Sequence, residues 1–194
     1  GHIAGQLANQ LASSIGASHV ITQHNSQIYI KRRDSAPFTV QSKDSLGENG
    51  TEAFYKTVQR FSSLPARAVN NLMIEITGDQ ASSFDNYYVK FETGDSSTSG
   101  PGVWKETGKG GEAVRINRST MPHALIREAD GTFTFKQVEW EDRKCGDLES
   151  SPMPSFVNRK INDIFFHRNR LGFVSDENVV FSRSGDFFNF FRGT

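Results

Sequence analysis

The amino-acid sequence predicts an α+β fold, mostly antiparallel β with an N-terminal helix. Three features carry that expectation: an apolar repeat of every fourth residue near the start, alternation of period two in most later runs, and turn-forming pairs between those runs. Ile3, Leu7, Leu11 and Ile15 recur at helical spacing beside Ala4, Ala8 and Ala12, and Gly16 is the expected stop. His19 to His24 and Gln27 to Arg32 read as two strands about an Asn25-Ser26 turn, with Phe38 to Gln41 as a third. A helix followed by a small sheet buries one helix face on one sheet face. Residues 43 to 51 are a loop by composition, and the spacing of Phe54, Val58 and Phe61 favours a short helix over a strand.

From Leu72 the period is two. Leu72, Ile74 and Ile76 share one face, and Tyr87, Val89 and Phe91 repeat the pattern. Thr93 to Pro101 reads as a flexible tip, Val103 to Lys105 as a short strand and Gly108 to Gly111 as a loop. Ala124 to Glu128 and Phe133 to Val138 flank Asp130-Gly131, a pair suited to the positive φ angles of a type I′ hairpin turn. Residues 141 to 160, rich in charge, Ser and Pro, read as an irregular connection. Beyond it Ile161 to Arg168, Leu171 to Ser175 and Val179 to Ser182 are three strand-like runs in close succession, which suits a propeller blade. The expected organisation is an α+β domain over 1–140, the connection over 141–160, and the first strands of a propeller-like platform over 161–194.

Composition bounds the function. Lys+Arg and Asp+Glu are 22 each in 194 residues, so the formal net charge is zero and no global basic field gathers nucleic acid. The run Lys31-Arg32-Arg33 reads as a solvated strand end. Cys145 is the single cysteine, which excludes an intrachain disulfide and a four-cysteine zinc site. No apolar run approaches the ~18 residues of a membrane span, and no basic-then-apolar start marks a secretory signal, so no membrane insertion by this chain is expected. The start at Gly1-His2 and the finish just after Phe190-Phe191 read as an excised piece of a longer protein.

No constellation of residues predicts catalysis, a cofactor or a metal. Asp130, Glu139, Glu141, Asp142, Asp147 and Glu149 are the carboxylates from which a glycosidase pair could be drawn, but turn and solvated-loop roles explain them better. His2, His19, His24, His123 and His167 show no metal-ligand spacing, and Gly108-Lys109-Gly110-Gly111 lacks the Ser/Thr that a phosphate loop needs after its Lys. Cys145 would be a nucleophile only beside a base. Arg168 and Arg170, two residues apart on an expected strand, are read as structural forks for Asp163, Asp176 or Asp186. Phe187, Phe188, Phe190 and Phe191, in a chain with 16 phenylalanines, are candidate blade core or inter-blade packing.

Several runs resemble the central part of the podophage tail tubular protein B, or tail nozzle, family. They are Thr120-Met121-Pro122-His123-Ala124-Leu125, Asp130-Gly131-Thr132-Phe133, Cys145-Gly146-Asp147 and Pro154-Ser155-Phe156. The most specific is Ile161-Asn162-Asp163-Ile164-Phe165-Phe166-His167-Arg168-Asn169-Arg170-Leu171-Gly172-Phe173, followed by Glu177-Asn178 and Phe188-Asn189-Phe190. Upstream, Leu64-Pro65, Gly78-Asp79, Tyr87-Tyr88-Val89 and Trp104-Lys105-Glu106-Thr107 are collinear with that family, while the 93–115 loop departs from it. The resemblance implies a structural virion protein of a short phage tail. It implies a hexameric ring with a propeller-like platform, the tail tubular protein A adaptor and tail fibres as neighbours, and transient passage of genomic DNA. Arg168, Arg170, Gly172, Asp130 and Gly131 are the expected structural motif residues. A glycan-binding or polysaccharide-degrading module is the alternative.

Overall fold

The computed structural model describes residues 2–45, 50–78, 86–95 and 97–193. The Gly78-Asp79 pair and the 43–51 loop each fall partly outside these. The chain divides into two compact units, Gly1–Ile74 with Phe91–Trp104 and Glu75–Lys90 with Lys105–Thr194. Among the described residues its order is one α-helix followed by twelve strands, and every pairing of successive strands in the three smaller sheets is antiparallel.

In the first unit α1, His2–Ile15, is the helix the apolar spacing predicts. It stops at Gly16, whose N–H bonds the Ala12 carbonyl at 3.0 Å and where a Cβ would lie 2.2 Å from that same oxygen. α1 packs on a hairpin of β1, His19–His24, and β2, Gln27–Arg32, paired in register from His19↔Arg32 to His24↔Gln27. Asn25 turns the hairpin with a φ of 55°. The helix stripe is only partly covered: Ala8 is buried, whereas Ile3 is 78% exposed. Phe38 to Gln41 forms no strand, contrary to expectation. The Phe38 ring instead meets His19 edge-on at 5.5 Å and Tyr55 at 4.6 Å, so its apolar surface is satisfied by ring packing rather than by a ladder.

The helix favoured around Phe54 to Phe61 is also absent. Lys56 takes a φ of 60°, which no α-helix tolerates, and Thr57–Val58 form the short strand β3, followed by a 3-10 turn over Phe61–Ser63. Burial of Val58 at the sheet edge outweighs the weak helical spacing. With β4, Arg67–Val69, β5, Met73–Ile76, β6, Tyr87–Thr93, and β7, Ser99–Thr107, it makes a five-stranded sheet of order β3-β5-β6-β7-β4. The alternation holds, with Ile74, Ile76, Val89 and Phe91 buried. β7 is longer than Val103 to Lys105 because Ser99, Gly100 and Pro101 pair with Val69, Ala68 and Arg67. Gly102 is required there, since a Cβ would lie 2.2 Å from the Glu92 carbonyl.

The second unit carries two smaller sheets. β8, His123–Arg127, and β9, Phe133–Gln137, form a hairpin; β10, Asp163–His167, β11, Arg170–Ser175, and β12, Asn178–Phe181, form a three-stranded meander. Its core gathers Ile116, Met121, Trp140, Phe156, Phe173 and Phe191. Residues 141 to 160 contain no helix or strand yet supply buried Arg143, Cys145, Ser151 and Phe156.

Gly172 is where β11 admits a neighbouring ring. It stands opposite Phe165 and Phe181, and a Cβ would come within 2.4–2.7 Å of the Phe165 ring, which crosses the glycine to meet Phe181 edge-on at 5.4 Å. Replacement Gly172→Ala is expected to cost about 1–3 kcal/mol in urea unfolding through overpacking. In the Phe165→Ala background the same replacement costs clearly less, because the ring it strikes is gone.

Candidate interaction surfaces

Five of the six carboxylates that could have formed a catalytic pair, all but Glu149, are engaged by a neighbour. Asp142 meets Arg115 at 2.9 Å, Glu139 meets Arg118 at 2.6 Å and Glu141 meets Lys144 at 2.6 Å. Asp130 accepts from the Thr132 N–H and hydroxyl at 2.9 and 2.6 Å, and Asp147 accepts from the Ser150 and Glu149 N–H groups at 2.9 and 3.1 Å. These hydrogen bonds hold both carboxyls below the usual range, with Thr132 hydroxyl donation the largest effect at Asp130 and the Ser150 backbone at Asp147.

Three of the histidines make packing contacts, while His2 and His167 are exposed. His19 Nδ1 lies 2.8 Å from the Ser18 hydroxyl, His24 meets Tyr29 edge-on, and His123 stacks on Phe135 at 5.2 Å with Nδ1 3.2 Å from the Met121 carbonyl. No cluster of three or more His, Cys, Asp or Glu that could hold a metal is found among the described residues. Cys145 is buried, with Sγ 3.6 Å from the Arg192 carbonyl; burial pushes its thiol up, and the Glu106 charge adds to the effect. Gly108 forms a parallel bridge to Gly146 and the Lys109 N–H bonds the Gly146 carbonyl at 2.8 Å, so the glycine-rich stretch closes on its own chain.

Two structural expectations change. Arg168 is not on a strand: Arg168 and Asn169, with φ of 46° and 59°, are the two central residues of a type I′ turn closed by His167↔Arg170. Arg168 and Arg170 therefore do not form a paired fork on one strand face, and Asp176 is held instead by Arg159 at 2.9 Å. Conversely Asp130-Gly131 is not type I′, because Gly131 alone has positive φ, at 87°. The Gly131 N–H bonds the Glu128 carbonyl at 3.1 Å and the Glu128 N–H bonds the Thr132 carbonyl at 2.8 Å, giving a three-residue loop with its bulge at the glycine.

The buried Arg143 has no signature in the sequence. Its side chain is 0% exposed; Nη2 meets Glu112 Oε2 at 3.0 Å and the Ala113 carbonyl at 3.1 Å, while Nη1 meets the Ser151 carbonyl at 3.2 Å. Glu112 Oε2 also accepts the Leu148 N–H at 2.8 Å. The charge lies inside a polar, loop-like stretch, so neither periodicity nor composition marks it.

The open apolar surface is concentrated on strands. Cross-strand partners Leu125 and Phe135 are 65% and 71% exposed, with Phe133 at 61% on the same face. Alternation places Phe165, Val174, Val179 and Phe181 on one face of the β10–β11–β12 sheet, where Val179 and Phe181 are exposed, while Ile164 and Phe166 are exposed on the Phe173 face. Such faces mark protein contacts more often than chemistry.

The sequence model of the bacteriophage nozzle protein family matches residues 1–194. The chain belongs to the bacteriophage nozzle protein family. It is 39% identical over 198 aligned residues to the tail tubular protein gp12 of Escherichia phage T7, an alignment covering 97% of this chain and 23% of that relative. The nozzle chain thus spans less than a quarter of the curated relative it matches. Membership makes it a structural component of a phage tail and hence of the virion. The resemblance seen in the Thr120 to Phe190 motifs is borne out along the whole chain.

Two measurements check the interior of this nozzle chain. Arg143→Ala is expected to cost about 1–3 kcal/mol in urea unfolding, because it leaves the Ala113 and Ser151 carbonyls without their donor and Glu112 with only the 3.7 Å contact to Lys109 for a cation. Cys145 is expected to react with an aromatic disulfide reagent at least about tenfold more slowly than a free cysteine at pH 8, with full reactivity restored in denaturant, since only an accessible thiolate attacks.

Proposed function

We propose that this chain is a building block of the tail nozzle, forming part of the wall of the DNA-ejection channel and a platform for tail assembly, with no chemistry of its own. The observation that carries this reading is the coincidence of a full-length family match with large apolar side chains left open on regular strands. A free-standing enzyme gains nothing from a hairpin whose Leu125, Phe133 and Phe135 stand in solvent, whereas an assembly component buries them against its neighbours. The neutral composition supports the channel role too. A wall that lets DNA pass must not hold it, and a chain of zero net charge releases few counterions on contact with phosphates.

Within this reading residues 1–140 form the α+β domain, 141–160 the connection, and 161–194 the first strands of a propeller-like platform. The close antiparallel succession of β10, β11 and β12, with exposed apolar side chains on both faces, supports the blade assignment. Gly172 lets the blade rings pack, and the turns at Arg168 and at Asp130-Gly131 fix the hairpins. Copies of the protein in a hexameric ring, the tail tubular protein A adaptor and the tail fibres are the proposed neighbours, and genomic DNA the transient passenger.

The test is replacement of Leu125, Phe133 and Phe135 by aspartate in the full-length phage protein. The soluble protein is expected to keep its circular dichroism and melting temperature, while electron microscopy shows particles lacking complete tails. Normal tails and normal infectivity would overturn the assembly role of this face.

A further inference from the structure

A cleft of about 330 Å³ in the second unit is lined by Arg170, Arg183 and Arg192, with Phe181, Phe190 and Phe191 among its walls. Among the described residues no carboxylate lines it. Elsewhere in the unit Arg115, Arg118, Arg143, Lys144 and Arg159 each hold an acidic partner. Among the described residues the Arg170 and Arg183 guanidinium groups have no ion-pair partner, and Arg192 makes one long bond, from Nη1 to the Ser150 carbonyl at 3.4 Å.

The cleft is shaped as well as charged. Gly193 leaves room for the Arg183 guanidinium to lie against the backbone: a Cβ there would come within 2.8–3.0 Å of Nη2, Cζ and Nη1. Buried Ser182 ties the floor, accepting from the Leu171 N–H at 3.0 Å and donating to the Arg183 carbonyl at 2.9 Å.

We propose that this cleft receives the carboxylate of a glutamate or aspartate on a neighbouring protein segment. Guanidinium forks match a planar carboxylate with paired hydrogen bonds. The phenylalanine walls suit the aliphatic stem that carries such a carboxylate, and offer nothing to a strongly hydrated phosphodiester. Nor does a chain of zero net charge surround the cleft with a field that would draw in a polyanion. Charge and shape alone carry the assignment, so it stands apart from the channel reading.

The probe is an acetylated, amidated peptide of alternating glutamate and alanine, titrated calorimetrically into the 194-residue chain. Its glutamine counterpart and a DNA oligonucleotide of equal charge are run in parallel. The glutamate peptide is expected to bind about tenfold or more tightly than either, and the combined Arg170→Gln and Arg183→Gln variant to weaken it about tenfold. Both side chains are exposed, so the melting temperature is expected to hold; should it fall, the combined R170K and R183K variant keeps the charge while removing the forks and still weakens the peptide several-fold. Absence of peptide binding, equal binding of the glutamine peptide, indifference to both variants, or tighter binding of the DNA would each overturn the proposal.

Discussion

Phe173 has no exposed surface, and the second unit is organised around it. Its ring stacks on Phe190 at 4.8 Å, receives Phe156 edge-on at 5.1 Å and lies 5.8 Å from Trp140. These partners come from the segment after β9, the loop before β10 and the segment after β12, so the contact joins parts of the chain that no ladder connects. In a chain with one cysteine and no metal cluster among the described residues, this apolar burial must supply the cohesion that a disulfide or zinc site would otherwise give. Each such ring contributes about 1.5–3 kcal/mol by leaving water. The geometry adds specificity, since edge-on and offset contacts admit few alternative packings.

An aromatic core does not by itself order the long irregular path through residues 108–122 and 138–162. Arg143 does that with directional bonds. One buried guanidinium holds the Glu112 carboxylate and the carbonyls of Ala113 and Ser151, and Glu112 in turn takes the Leu148 N–H. Backbone carbonyls without a ladder would be costly in the interior, and the five donors of arginine satisfy several at once. A hydrophobic replacement could fill the volume but would leave those carbonyls unpaired. The Arg143–Glu112 pair is therefore better understood as fixing the route of the loops than as adding net stability.

Much of this was legible from residue order. The α1 repeat, the β1–β2 hairpin and the alternation through β5 and β6 were readable because each element buries one face, and burial leaves a period. Legibility failed where another constraint overrode the period. Phe38 is apolar and flanked like a strand residue, but rings rather than a ladder receive it. Val58 sits at helical spacing, yet the left-handed Lys56 and the sheet edge decide its state. The two arginines read as a strand-face pair are separated because Arg168-Asn169 makes the turn that an Asp-Gly pair would ordinarily advertise. Arg143 carried no signal at all, since a buried charge in a polar segment looks like a solvated one. Family membership, by contrast, lay in a string of side chains whose physical roles are mostly turn and core.

The β8–β9 hairpin shows how a firm core and an unfinished surface coexist. Met121, just before β8, is buried in the core, and Val138, just after β9, packs against it, so both feet of the ribbon are anchored. Beyond them Leu125, Phe133 and Phe135 are open to solvent. A two-stranded ribbon is marginal on its own in water, and an apolar face adds an aggregation hazard to that weakness. Anchoring at the base limits the entropy lost when the face is covered, because the strands already hold the register that a partner would meet. The fold thus separates a firm interior, the Phe173 core and the Arg143 clamp, from an open apolar ribbon anchored at its base.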